Sequence, residues 1–382
     1  SFTVNDRKGF YHCFSTGEHG DIFKFVMTTE GLSFVEAVEK LAAEAGVPLP
    51  PPNATAPGHL DRENRLRNVL EEACRFFQSM LAAKAGAEAR AYLQKRGIGV
   101  SDIEKFRLGF APNSKSDLKN RLADKGFLIE DMQDAGVLIH GDGIAVPYDR
   151  FRGRIIFPIA DPKGRIIAFG GRTLAGDRQP KYLNSPETDL FHKGRTLFNL
   201  AAAKEAARAA GHIVVAEGYM DVIALARAGF ANAVAPLGTA LTPEQLRLLW
   251  TLAPTPTLCF DGDAAGRKAA HRAIDCALPF LEPGRSLQFA FLPEGKDPDD
   301  MVTGGDIERL RLLLASPRPL IEVLWERELE KHPIELPEQR AALDSRLHEI
   351  AGQIAHRGLR FHYLSDIRGR LRDPHRPSAK GL

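Results

Sequence analysis

Short apolar runs alternate with helical segments between Gly211 and Asp300. Each of four runs rich in β-branched or apolar residues is followed by a turn and a segment with helical spacing. The runs are Ile213–Gly218, Ala231–Gly238, Thr255–Asp263 and Ser286–Asp297. Because a buried parallel strand is a short apolar run and its crossover is helical, this alternation predicts parallel βαβ units. We therefore expect an α/β fold with a parallel sheet in this part of the chain.

The segments on either side follow other patterns. Upstream, helical spacing gives way to alternating, turn-punctuated runs, which predict antiparallel hairpins with a turn at Asp161–Gly164. Downstream, the apolar spacing is helical throughout, and the predicted core positions are Leu320, Val323, Leu324, Leu343, Leu347, Ile350 and Ile354. The parallel core is thus expected to follow a mixed α+β basic subdomain and to precede a helical subdomain.

The two ends of the chain differ from its middle. Aromatic residues near His12, Cys13 and His19 favour a short β-hairpin over a metal site, and a helix follows. A run with five prolines then predicts an extended linker, and the last residues are polar and expected to be disordered. The predicted divisions are 1–46, the linker 47–60, the basic subdomain 61–205, the parallel domain 206–304, the helical subdomain 305–372 and the tail 373–382.

Composition narrows the class of protein. The chain has 382 residues, of which 44% are apolar and 26% charged, as expected for a globular protein of two or three domains. The apolar runs are too short to cross a bilayer, so we expect no membrane association. Four scattered cysteines do not form a disulfide framework and favour a cytoplasmic location.

Acidic residues follow three of the four predicted strands. Because the carboxyl ends of parallel strands lie at one edge of a sheet, these side chains should meet there. Like charges gathered in this way are tolerated when oxygen-ligated Mg²⁺ or Mn²⁺ neutralises them. N-capping of the next helix is the competing interpretation for any single acid, and Gly262 is expected to let a ligand approach the backbone. The predicted cation ligands are Glu217, Asp261, Asp263, Asp297 and Asp299.

Basic residues precede this acidic stretch. Residues 149–195 contain ten Lys and Arg against five Asp and Glu, whereas residues 211–300 contain seven against eleven. This arrangement suits a polyanion bound along one surface with its reactive phosphates at the metal. Solvated strand edges also carry Lys and Arg, so the interpretation applies to the surface as a whole. A polar loop is expected to contact phosphates and bases, through residues that include Lys181, Asn184, Lys193 and Arg195.

Several motifs resemble those of the bacterial replicative (DnaG-type) DNA primase family. The central stretch is similar to the Toprim module that these primases share with topoisomerases, in AEGYMDV (Ala216–Val222), PLGTALT (Pro236–Thr242), FDGDAAGRKA (Phe260–Ala269) and LPEGKDPDD (Leu292–Asp300). Upstream, RFRGRIIFPI, FGGRTL and KYLNSPETDLFHKGRTLFNL are similar to the primase-specific half of the catalytic core. The resemblance extends from residue 1 to about residue 372.

The resemblance implies roles for individual residues. Glu217 would bind metal and act as a general base, and the paired ligands Asp261 and Asp263 would be catalytic with it. Asp297 and Asp299 would complete the metal site. The residues that would hold template or nucleoside triphosphates (NTPs) are Arg96, Arg172, Lys181, Asn184 and Lys193. The implied reaction is synthesis of a short RNA primer from NTPs on single-stranded DNA.

The sequence departs from the family in two places. The family's zinc ribbon uses Cys-x-x-His and then Cys-x-x-Cys, but the first pair is absent here and Thr16 stands where the last cysteine is expected. With only Cys13 left, we expect no zinc in this chain. The family's helicase-binding domain is also missing, so we expect recruitment to a replicative helicase to be lost.

Other functions are compatible with parts of the pattern. A phosphohydrolase with an aspartyl nucleophile needs its Asp-x-Asp pair on the first strand, whereas the strand of Glu217 comes first here. A Toprim-type nuclease or strand-passage enzyme, and a non-catalytic core that binds single-stranded DNA, are the remaining alternatives. Nucleotidyl transfer itself needs mainly positioning and charge neutralisation, which two metal ions and basic side chains can supply.

Overall fold

The chain forms two compact units, Ser1–Arg62 and Glu63–Leu382. A computed structural model describes residues 2–6, 9–15, 17–30, 32, 34–47, 57–174, 179–238, 240–332 and 334–373. The predicted linker 47–60 lies mostly outside the described residues, and a helix begins at Pro57. The predicted disordered tail lies outside them except for Asp373.

Among its described residues, the first unit contains a small antiparallel sheet and two complete helices. The sheet has the order β1-β2-β3, with β1 at Phe2–Asn5, β2 at Phe10–Cys13 and β3 at His19–Gly20. The helices are α1 (Ile22–Glu30) and α2 (Phe34–Ala45). The hairpin formed by β2 and β3 is as predicted. Of its aromatic residues, Tyr11 is buried whereas Phe10 and Phe14 are exposed.

The second unit begins with helices around an antiparallel sheet. The helices are α3 (Pro57–Ala82), which starts in the first unit, α4 (Ala87–Lys95), α5 (Val100–Lys105), α6 (Asp117–Asp124) and α7 (Ile129–Asp134). The strands are β4 (Gly109–Ala111), β5 (Leu138–Ile139), β6 (Tyr148–Asp149), β7 (Arg154–Ala160), β8 (Ile166–Thr173) and β9 (Tyr182–Asn184). The sheet order is β4-β7-β8-β9, and β5 pairs separately with β6.

A five-stranded sheet follows, and it is parallel except at one edge. Its strands are β10 (Val214–Val215), β11 (Ala233–Val234), β12 (Thr257–Phe260), β13 (Gln288–Phe291) and β14 (Arg318–Pro319), in the order β11-β10-β12-β13-β14. Only the pair of β13 with β14 is antiparallel. The associated helices are α8 (Leu200–Ala210), α9 (Tyr219–Arg227), α10 (Pro243–Trp250), α11 (Ala264–Ala277) and α12 (Pro298–Thr303). The predicted α/β fold is confirmed.

Alternate residues of these strands enter two different cores. Val214 and Cys259 pack with α9, whereas Val215 and Leu258 belong to the core on the other face, with α10 and α11. This follows from the period of two along a strand. Phe157 of the antiparallel sheet also belongs to the core of α9, so α9 lies between the two sheets. The antiparallel sheet is thereby packed beside the parallel one.

Four helices complete the second unit. They are α13 (Ile307–Ala315), α14 (Leu320–Lys331), α15 (Pro337–Gly352) and α16 (Arg357–Arg372). All seven core positions predicted from the helical spacing are buried, so that prediction is confirmed. Among the described residues, no helix has the length and apolar character needed to cross a membrane.

Candidate active site

The strand order of the parallel sheet reverses at β10. The chain passes from β10 to β11 on one side and then crosses to β12 on the other. Ligands of open α/β sheets bind at the carboxyl ends of the strands beside such a reversal. Glu217 follows β10 and Asp261 follows β12, so these two acids stand on either side of the reversal.

Glu217 and Asp261 are adjacent at this edge. Glu217 Oε1 accepts a hydrogen bond from the backbone N of Asp261 at 3.1 Å. Burial raises the pKa of Glu217. The pKa of Asp261 is raised to about 7, first by burial and then by the negative charges of Glu217 and Asp297. Among the described residues, Asp261 Oδ1 is buried without a hydrogen-bond partner, so this oxygen is suited to a cation.

Two of the predicted ligands begin helices. Asp263 is the N-cap of α11 and accepts a hydrogen bond from the backbone N of Gly266 at 2.7 Å. Asp297 is the N-cap of α12 and accepts one from the backbone N of Asp300 at 2.6 Å. Each cap uses one carboxylate oxygen, which leaves the second for another partner. N-capping and cation binding are therefore compatible as long as the side chain keeps its capping oxygen in place and offers only the second oxygen to the cation.

Asp299 carries the counter-charge of a basic residue from the preceding subdomain. Its side chain is buried, and Oδ2 accepts a hydrogen bond from Arg96 Nη1 at 2.5 Å. Burial raises the pKa of Asp299, and the hydrogen bond from Arg96 opposes that rise. Because Arg96 follows α4, this ion pair joins the basic subdomain directly to the acidic edge of the parallel sheet.

Gly262 was predicted to let a ligand approach the backbone, but in the structure its missing side chain makes room for another segment of the protein. A Cβ at this position would lie 2.2 Å from the backbone O of Leu292 and 2.5 Å from the backbone C of Pro293. Such distances are too short for any side chain, because the neighbouring atoms belong to the backbone of the chain after β13. The glycine therefore lets the turn that carries Asp261 and Asp263 pack against that segment.

Asp221 is an acidic residue that the sequence analysis did not select. It lies on α9, four residues after Glu217, and both residues line a cavity at this edge of the sheet. Its pKa is raised well above the ordinary value by burial and then by the negative charges of Asp297 and Asp261. The sequence contained a usable signal, since Asp221 lies in the first turn of the helix that begins directly after Glu217 and Gly218.

The acidic edge suits a hard divalent cation such as Mg²⁺ or Mn²⁺. The pKa values of Glu217, Asp221 and Asp261 are raised by burial and by the negative charges of neighbouring carboxylates. An oxygen-ligated cation would relieve this repulsion. Within the described residues, however, no three His, Cys, Asp or Glu side chains are arranged as they stand to hold a metal ion. One oxygen each of Asp263, Asp297 and Asp299 is bonded to a protein donor. Cation binding therefore requires side-chain rotation.

A cavity of about 270 Å³ lies between this edge and the antiparallel sheet. Arg96, Arg172 and Lys181 line it together with Glu217, Asp221, Asp297 and Asp299. The Arg172 guanidinium lies 4.4 Å from the ring centre of Tyr92 and 5.9 Å from that of Tyr182. Stacked in this way, a guanidinium is held in place and can still bind an anion. The cavity thus has an acidic wall of carboxylates, against which Arg96 lies through its ion pair with Asp299, and a cationic wall of Arg172 and Lys181.

Asn184 lines the cavity and also connects three segments. Its Oδ1 accepts a hydrogen bond from the Tyr219 hydroxyl at 2.6 Å, and its Nδ2 donates one to the backbone O of Leu237 at 3.1 Å. Tyr219 is itself fixed by a stacked contact with Phe157, with ring centres 4.9 Å apart. A Cβ on Gly170 would lie 2.4 Å from the Tyr219 ring. Asn184 is therefore held rigidly where β9 meets the parallel sheet.

The structure does not place Lys193 and Arg195 in this cavity. They occupy a short 3-10 helix whose backbone contacts α10, where the Lys193 carbonyl accepts a hydrogen bond from Gln245 Nε2 at 2.9 Å. Asp261 and Asp263 are likewise not among the residues that line the cavity. Their neighbours Glu217 and Asp297 are, so the turn that carries the two aspartates lies beside the cavity.

Three family models match successive parts of the chain. Residues 76–204 match the N-terminal domain of the DNA primase catalytic core, residues 211–290 match the Toprim domain, and residues 1–55 match the CHC2 zinc finger. The fold and site therefore define a Toprim-containing primase core.

The chain is also similar to known primases in sequence and in structure. The DNA primase of Escherichia coli (strain K12) is 39% identical over 373 residues, which are 97% of this chain and 64% of that protein. A structure of the DnaG primase catalytic domain bound to ssDNA has a TM-score of 0.73 at 37% identity, covering 81% of this chain and 99% of that one. A structure of the zinc-binding and RNA polymerase domains of Aquifex aeolicus primase has a TM-score of 0.70 at 34% identity, and the match covers 98% of this chain and 87% of that one. The chain belongs to the DnaG family of DNA primases.

The prediction that zinc is absent from this chain is wrong. The match of residues 1–55 to the CHC2 zinc finger indicates a zinc-binding domain. The prediction used only the spacing of possible ligands around Cys13, whereas the family model matches residues 1–55 together. In the part of that segment that the structure describes, no three potential ligands are grouped as they stand to hold a metal, and Cys13 Sγ lies 3.1 Å from Ser15 Oγ.

Proposed function

We propose that this chain is a primase core that synthesises short RNA primers from NTPs on single-stranded DNA. The observation that supports this most directly is the cavity with carboxylates on one wall and Arg172 and Lys181 on the other. The chain spans 64% of the length of the E. coli relative, so the activity of the whole protein is part of this proposal. The related catalytic domain with bound ssDNA supports the choice of template.

The acidic wall would provide the metal site. Glu217, Asp221, Asp261, Asp263, Asp297 and Asp299 are the residues available to hold divalent cations. A bound cation would neutralise charge on the triphosphate and stabilise the leaving pyrophosphate. Glu217 Oε1 is held by the Asp261 backbone N, which leaves Oε2 to accept a proton from the attacking 3′ hydroxyl.

The cationic wall would bind the polyanions. Arg172, held between Tyr92 and Tyr182, and Lys181 beside them would contact triphosphate or template phosphates. Arg96 would orient Asp299 through their ion pair. Asn184 would hold the edge of the antiparallel sheet against the segment that contains Leu237, through its hydrogen bond to the Leu237 backbone O. Lys193 and Arg195, which lie outside the cavity, would contact template further along the surface.

The wider assignments follow from the same proposal. The predicted divisions at residues 61–205, 206–304 and 305–372 would correspond to the basic, Toprim and helical parts of the polymerase core. A cytoplasmic location and the RNA primer as product accompany this function.

The proposal is tested by the products that the purified chain makes. With Mg²⁺, NTPs and a single-stranded template, wild type should make short RNA, and Asp261→Ala should abolish synthesis while leaving DNA binding intact. Asp142→Ala, at an exposed residue, is the matched control and should keep full synthesis. Cleavage of the DNA instead would favour a Toprim nuclease, and template binding without product would favour a non-catalytic core. Full synthesis by Asp261→Ala would refute the metal assignment.

A further inference from the structure

The last helix of the structure has an exposed basic face far along the chain from the active site. Arg357, Phe361, Ser365, Arg368 and Arg372 are spaced by three or four residues on α16, so they fall on one side of it. Apart from Ser365 they are cationic or aromatic, and Phe361 is 65% exposed. The acidic residue of α16, Asp366, lies on another side and pairs with Arg370. We call these five residues the α16 ridge.

The α16 ridge lies at the end of the parallel sheet opposite the acidic edge. Leu359 and Tyr363, on the inner side of α16, pack against the core formed with α10 and α11. The Tyr363 side chain lies beside Ser286, which precedes the amino end of β13. Glu217 and Asp261 follow the carboxyl ends of their strands. The ridge is therefore separate from the active site.

The chemistry of the α16 ridge fits a single nucleic acid strand. Arginines bind phosphates without regard to sequence, and an exposed aromatic ring offers a surface on which a base can stack. From Arg357 to Arg372 the helix rises roughly 22 Å, about the length of six stacked nucleotides at 3.4 Å each. The helix has five arginines and one aspartate, so its charge complements a polyanion. A duplex conceals its bases and would leave Phe361 unused.

We propose that the α16 ridge is a second binding surface for single-stranded DNA, distant from the site of synthesis. It rests on the proposed function, since a template that reaches the active site is long enough to extend over other surfaces of the protein. The ridge would hold a remote part of the strand and so increase affinity for long templates only.

The test compares binding of labelled oligo-dT of about 30 and about 8 nucleotides by fluorescence anisotropy across a salt series. Arg357→Ala/Arg368→Ala/Arg372→Ala should weaken binding of the long strand and reduce its salt slope by about 2, at roughly 0.7 per phosphate contact. Phe361→Ala should weaken binding at least about fivefold and leave the slope unchanged. Binding of the short strand should not change.

The control removes three exposed positive charges elsewhere, in Lys84→Ala/Lys125→Ala/Arg208→Ala, and should keep the wild-type slope. Thermal unfolding should be the same for all variants, because the substituted side chains are exposed. Equal slopes for the two triple variants would overturn the proposal. The proposal would also be overturned if the ridge substitutions weakened binding of duplex DNA or polyglutamate as much as binding of the long single strand. The ligand of the ridge would then be a duplex or an acidic protein.

The outcome is independent of primer synthesis. Synthesis on the short template should be normal in the ridge triple variant, and Asp261→Ala should retain the ridge contribution to long-strand binding. If synthesis is absent but the ridge effect is present, only the proposed function fails. If synthesis is present and the ridge effect is absent, only this inference fails.

Discussion

Asp261→Asn should stabilise the fold when divalent cations are removed, while it abolishes synthesis. The Asp261 carboxyl is partly buried among Glu217, Asp263, Asp297 and Asp300, and its pKa is raised to about 7. Ionising it in the folded chain therefore costs free energy that the unfolded chain does not pay. The amide has nearly the same shape and no charge, so the substitution removes this repulsion.

The expected size follows from the pKa. The difference between about 7 and the ordinary 3.8 corresponds to roughly 4 kcal/mol when the group is fully ionised in both states. Asp261 is only partly buried, and solvent screening reduces this to roughly 2 kcal/mol. Because the folded pKa is the higher one, wild-type stability falls as pH rises from about 4 to 7. The stabilisation by Asp261→Asn should therefore be about 2 kcal/mol at pH 8 and below about 1 kcal/mol at pH 5.

The assay is urea denaturation in EDTA at both pH values, with the free energy of unfolding compared between variants. Asp142→Asn, at an exposed loop position, should change stability little at either pH. Added Mg²⁺ should stabilise wild type more than Asp261→Asn at pH 8. An Asp261→Asn chain that is no more stable than wild type at pH 8 would show that the carboxylates do not repel one another in the folded state.

Three further substitutions test other parts of the site. Lys181→Ala should weaken binding of single-stranded DNA and reduce the salt slope by about 0.7 in a salt titration, and an unchanged slope would remove it from the phosphate contacts. Gly262→Ala should lower the free energy of unfolding by at least about 1–3 kcal/mol because its Cβ meets the Leu292 carbonyl, whereas Gly352→Ala, with open space around it, should not. Tyr219→Phe should lower the free energy of unfolding by about 1–3 kcal/mol, since it leaves Asn184 Oδ1 without its donor. A variant as stable as wild type would contradict this role of Tyr219.

The sequence was sufficient to place the acids at one edge because their positions depend on local pattern. Glu217 and Asp261 follow apolar runs, and the parallel order of those runs decides which ends meet. The helical core positions, such as Leu343 and Leu347, were predictable for the same reason. Periodicity reports which side of an element faces the core, and it needs no knowledge of distant contacts.

Features that depend on distant contacts were not predictable in this way. The reason for Gly262 lies in the backbone of Leu292, thirty residues later in the chain. The pairing of Arg96 with Asp299 spans 203 positions, and no local pattern reveals it. Asn184 was selected as a contact for phosphate or template, but its hydrogen bonds to Tyr219 and Leu237 show a connecting role that only the packed structure reveals.

The N-caps of α11 and α12 link ion occupancy to the order of the first helical turns. If Asp263 or Asp297 turns toward a cation, the amide of Gly266 or Asp300 loses its acceptor, which weakens a helix start by about 1 kcal/mol. Those two amide protons would then exchange with solvent faster in the loaded protein than in the chelated one. The helix beginnings would thus act as built-in reporters of metal loading, readable by hydrogen exchange without any substrate.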